Sequence, residues 1–126
     1  MITPGHFALG MGIGTAITLP GLAKAWASGQ GLAGATGRML VFAYGVALFA
    51  IIPNLVSFAG MGGLARSPVM NVFLLNPWLA ENVSAGKLIS GAALLFGMAF
   101  HYVVLLLALR RAQAVRHSQT PPQKRT

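Results

Sequence analysis

Hydrophobic positions in this chain gather into three long runs, separated by short stretches rich in glycine, proline and charge. The first extends from Phe7 to Ala23, the second, MLVFAYGVALFAIIPNLVSFA, from Met39 to Ala59, and the third, LISGAALLFGMAFHYVVLLLAL, from Leu88 to Leu109. Lys87 and Arg110 enclose 22 residues without a formal charge. At about 1.5 Å per helical residue these reach roughly 33 Å, enough to cross a hydrocarbon core of about 30 Å. The second run is long enough by the same measure, and the first becomes so when Lys24 snorkels towards the headgroups. The pattern predicts an all-α integral membrane protein with three transmembrane helices, over about residues 7–27, 39–59 and 88–109.

The connections carry their own signals. Ala25 to Arg38 is rich in glycine and predicts a short loop. In the stretch from Gly60 to Gly86 the apolar centre, Val69 to Leu75, is too short to cross and lies between Pro68 and Pro77. Residues 67–80 are therefore expected to form a short interfacial segment between the second and third helices. Ser67 would be its N-cap, Pro68 its first helical residue and Trp78 its interfacial anchor. Pro20 should kink or end the first helix, and Pro53 should free the carbonyl of Phe49, with Asn54 and Ser57 near enough to satisfy local backbone groups. Residues 1–111 then form one transmembrane domain and 112–126 a basic tail. The tail's first part would continue the helix into water, and TPPQKRT is expected to be disordered.

Small residues recur where helices could meet. Gly10 and Gly14 form a small-xxx-small pair, and Ala43, Ala47 and Ala50 fall on one face of the second helix.

Charge sets the orientation. Of 126 residues 56% are hydrophobic and 8% charged, and nine Lys and Arg stand against one acidic residue, Glu81, for a net charge of +8. Arg110, Arg111, Arg116, Lys124 and Arg125 follow the third run directly, which favours anionic lipid headgroups over nucleic acid. Arg110, Arg111 and Arg116 are the expected headgroup contacts. With the tail on the cytoplasmic side, Lys24 and Arg38 join it there, leaving Arg66 and Lys87 outside, partly offset by Glu81. This is the positive-inside pattern and predicts N-terminus outside, C-terminus cytoplasmic, in a membrane such as a bacterial inner membrane. No Lys or Arg precedes Lys24, so despite the AWA at Ala25–Ala27 the first segment is expected to be kept as mature structure. The chain has no cysteine, which removes disulfides, thiolate metal sites and thiol nucleophiles.

Candidate chemistry is sparse. With no Asp and only Glu81, there is no carboxylate pair for acid–base catalysis, and His6, His101 and His117 are not spaced as metal ligands. His101 is the exception, because an ionisable ring at membrane depth needs a partner. A neighbouring helix near Tyr44 would supply one. Gly97 and Ala93 precede His101 at four-residue steps and make the helix face leading to the ring flat. This small-xxx-His spacing is similar to that of bacterial light-harvesting polypeptides, a resemblance that implies bacteriochlorophyll, or alternatively haem, with His101 as axial ligand on a surface of Gly97 and Ala93. A second resemblance is carried by TPGHFALG and AIIPN. They look like the Thr-His and Leu-Pro-Asp motifs of a family of membrane proteins classed as metal-dependent hydrolases, with Asn54 standing where Asp would be wanted.

The expected function is accordingly a small non-catalytic accessory or assembly subunit of a larger membrane complex, of respiratory or photosynthetic type. Its partners would be the bilayer and other membrane subunits, with no nucleic acid and no small-molecule substrate. In size, three spans, N-out/C-in topology and basic tail the chain also resembles phage holins, which would make it pore-forming. A small transporter ranks lower, since no intramembrane carboxylate offers a proton or cation relay.

Overall fold

The computed structural model describes residues 3–73, 78 and 82–119. In chain order these form α1 (Thr3–Ser28), α2 (Leu32–Ala50), α3 (Ile52–Phe58), α4 (Gly62–Ala65), a 3₁₀ turn (Pro68–Val72), α5 (Val83–Ala92), a π-helical turn (Ala93–Gly97) and α6 (Met98–Gln119). There is no strand among the described residues, and three helices are long and apolar enough to span a membrane: Pro4–Ser28, Leu32–Ala50 and the continuous run Ser84–Gln119. The protein is an all-α membrane protein.

α1 is the central helix, packed along α2 on one side and against α5, the π turn and α6 on the other. Its glycines explain how closely it approaches α2. A Cβ on Gly10 would lie 2.6 Å from Ala47 Cα, and one on Gly14 would lie 2.6 Å from Ala43 Cα. The two small-residue faces read from the sequence are thus the two halves of one interface, with Ala43, Ala47 and Ala50 fully buried. Between membrane helices, lipid supplies little hydrophobic drive, so close van der Waals packing carries the association. Towards the α1–α2 turn the small residues give way to larger ones, where Leu22, Leu32, Met39 and Ala108 join all three spans in a second apolar cluster.

Several boundaries differ from those the hydropathy runs suggest. The glycine-rich connection is only residues 29–31, a turn in which Gly29 (φ 68°) and Gly31 (φ 65°) adopt the left-handed conformation that a side chain would resist. α2 therefore starts at Leu32 and includes Arg38, whose straight aliphatic stem suits a helix. The second span ends at Ala50 rather than at residue 59, because Pro53 has no N–H to continue the ladder. The chain breaks at Ile51 and restarts as α3 with Pro53 in its first turn. α1 runs through Pro20 without ending there. Beyond residue 111 the chain stays helical to Gln119, so the tail is ordered at least that far; residues 120–126 lie outside the described residues. Ser67 occupies the capping position before the 3₁₀ turn, yet its hydroxyl donates back to the Leu64 carbonyl at 2.7 Å and makes no cap. Of the expected interfacial segment, residues 74–77, 79 and 80 are outside the described set, as is Glu81 just beyond it.

Candidate functional site

The polar groups held inside the bundle begin with the π turn. A π turn inserts one extra residue into the helix and rotates the residues beyond it around the axis. Here it brings Gly97 against α1, where a Cβ would sit 2.8 Å from the Ala8 carbonyl oxygen; Gly12 of α1 faces Gly97 Cα in turn. His101, one turn further on, is carried to the same side and is fully buried.

His101 Nδ1 lies 2.7 Å from Thr15 Oγ1, and Thr15 Oγ1 lies 2.9 Å from the carbonyl oxygen of Met11, one turn back on α1. The threonine has a single proton for these two neighbours. When the hydroxyl donates to Met11, His101 Nδ1–H donates to the threonine oxygen and Nε2 keeps a lone pair; when it donates to Nδ1, the ring proton is on Nε2. In both arrangements Nε2 is buried with no hydrogen-bond partner among the described residues. Aromatic rings enclose the imidazole edge-on, Tyr44 of α2 at 5.7 Å and Tyr102 at 5.2 Å between centroids. Phe7 continues the aromatic contact from Tyr44 towards the start of α1, at 6.2 Å.

A second buried histidine stands near the start of α1. His6 is fully enclosed, and among the described residues neither of its ring nitrogens has a hydrogen-bond partner; nor has Ser90 Oγ, on the α5 face against Gly5. His6 precedes Thr15 by nine residues on α1, roughly 13 Å along the axis, so the two imidazoles sit at different depths and cannot close on one metal or haem. No group of three or more His or Glu side chains converges among the described residues.

The light-harvesting likeness placed a macrocycle on the flat face of Ala93 and Gly97. That face is where α1 seats: Gly97 meets Ala8 and Gly12, Ala93 is buried, and His101 has no exposed surface. A bacteriochlorophyll or haem lying on the still open side of Ala93 and Gly97 does not reach His101, because His101 does not line that groove and its ring is enclosed by Thr15, Tyr44 and Tyr102. The remaining residues singled out from the sequence are spread around the bundle. Arg110 and Arg116 are exposed on α6, Arg111 is half-buried, and Trp78 is exposed, its backbone N–H donating to Asn71 Oδ1 at 3.1 Å. Sequence reasoning missed Thr15, His6 and Ser90 as interior polar groups. The available signal was that Thr15 and Ser90 each interrupt an apolar run and that His6 stands directly before one, but nothing in the run says which side of the helix faces inward.

Comparison with protein-family models, with curated proteins and with solved structures finds no match to this chain.

Proposed function

We propose that the chain is a non-catalytic accessory subunit that packs against the helices of a larger membrane assembly. One observation carries this reading. The third span has 17% of its most apolar window inside the bundle, against 39% and 33% for the first and second. Leu88, Leu95, Phe96, Val103 and Leu107 point outward from it. Beside them an open apolar groove runs between α1 and the third span, floored by Gly12, Ala16 and Ala93 and walled by Leu9, Ile89 and Phe100. Small residues in a floor with large ones along its edges suit the side-chain ridge of another helix. The enclosure of both buried histidines supports the non-catalytic part of the reading, since a reacting substrate needs access to the group that transforms it.

Acyl chains cover such a face as readily as a helix does, so the state of assembly is the deciding measurement. Mild-detergent extraction from the native membrane should yield a particle containing other chains, and Phe96→Arg together with Leu95→Arg should release this chain from it. Recovery solely as a monomer in its micelle would overturn the proposal. Abrupt lysis on induction in a bacterium carrying a lysin would replace it with the pore-forming alternative.

A further inference from the structure

The geometry points to a binding site for one anionic phospholipid, in the cleft between α1 and α2 at the end of the bundle that holds the Gly29–Gly31 turn. The cleft is lined by Ile17, Thr18 and Gly21 of α1 and by Ala35, Arg38 and Phe42 of α2. Gly21 leaves it open, since a Cβ there would meet nothing within 4 Å. Arg38 is placed to hold the headgroup. Side chains on a helix lean towards its N-terminus, and the Arg38 guanidinium folds back that way: its Nη1 lies 4.0 Å from where a Cβ on Gly34 would be. That brings the charge one turn nearer the membrane surface than its own Cα.

Lys24 supplies a second cation at the same level. It shares the α1 face of Ile17 and Gly21 at helical spacing. The register that sets Gly10 against Ala47 and Gly14 against Ala43 also brings Lys24 level with Ala33 and Gly34, where the guanidinium lies. Two positive charges therefore stand at the rim, and the cleft below them runs towards the apolar side chains of Ile17 and Phe42, deeper in the span.

Among the described residues this charge has no internal counterpart. The chain's one acidic side chain, Glu81, belongs to the connection between the second and third spans, and among the described residues there is no carboxylate to face Arg38. α2 is 19 residues long, about 28 Å, and so is nearly all within the bilayer. A guanidinium held just inside that boundary takes its counterion from the lipid. A phosphate with net negative charge at the rim and an acyl chain along the cleft match both halves of the site. The inference holds whether or not the chain joins a larger assembly.

Native mass spectrometry of the full chain in mild detergent, with equal phosphatidylglycerol and phosphatidylcholine, tests it. The unaltered chain should retain one phosphatidylglycerol in preference to phosphatidylcholine, undiminished by excess inorganic phosphate. Arg38→Gln and Lys24→Gln should each weaken retention about fivefold, as expected for one cation near an anionic surface. Gly21→Leu fills the cleft without altering charge and should remove the bound lipid while leaving helix content unchanged. Arg66→Gln, at the other end of the molecule, should have no effect. Equal retention of the two lipids, displacement by free phosphate, unaltered binding in the Arg38→Gln/Lys24→Gln double variant, or equal loss in Arg66→Gln would each overturn the assignment.

Discussion

Thr15 has one hydroxyl proton and two neighbours able to accept it, the Met11 carbonyl and His101 Nδ1. Its role is to give a buried imidazole one polar partner in a place where water cannot substitute. The contribution is expected to be modest despite the apolar surroundings, because an unfolded chain in a membrane also finds partners for its polar groups. Thr15→Val keeps the shape and removes the bond, leaving both nitrogens of His101 unpartnered. We expect a loss of about 0.6 to 1.7 kcal/mol in reversible unfolding in mixed micelles, with Thr15→Ser close to the unaltered chain. A valine variant as stable as the original would show that the hydrogen bond contributes nothing. The aromatic surround of Tyr44 and Tyr102 would then be what holds the ring.

Two helices that meet through glycine tolerate added volume only where the backbone has room. At Gly10 the missing Cβ would lie within 2.7 Å of the Val46 carbonyl oxygen, and backbone cannot move aside as a flexible side chain can. Gly10→Leu should therefore push α1 from α2 and cost about 1–3 kcal/mol or more. Gly45, also in α2, faces open space, so Gly45→Leu should leave the unfolding midpoint unchanged and serves as the matched control. Similar midpoints for the two variants would mean that the close approach does not hold the spans together. Proline acts on the same scale with opposite outcomes. Pro53 ends the second span near Ala50, whereas α1 continues past Pro20 to Ser28. The ring chemistry is identical at both positions, and the surrounding helix decides whether the interruption becomes an end.

Across the whole molecule the cations are sorted by end. Lys24 and Arg38 sit near the α1–α2 turn, and Gly29 in that turn lies against Val115 of α6, so Arg110, Arg111 and Arg116 belong to the same end. Arg66 and Lys87 belong to the other end. The positive-inside rule then predicts that the turn and the C-terminus are cytoplasmic. Because the chain has no cysteine, single substitutions report cleanly. In intact cells Ser67→Cys should react with a membrane-impermeant maleimide, and Ser118→Cys should react only after permeabilisation. The reverse pattern would place the basic end outside and remove the orientation.

The sequence by itself determined that the chain is helical and spans a membrane three times, because the length and polarity of an apolar run are local properties that a bilayer reads one segment at a time. It also marked Gly10, Gly14, Ala43 and Ala47 as residues on which helices could close. It did not determine that these four meet one another, or that His101 turns inward to Thr15 and away from the open groove beside Ala93 and Gly97. The π turn at Ala93–Gly97 is one reason, since it changes which residues of the third span face inward and has no signature in hydropathy. Partnering is the other. Whether Thr15 finds His101, or Arg38 opens onto a cleft made by Gly21, depends on how three helices are rotated against one another, and that rotation exists only once the backbones have packed.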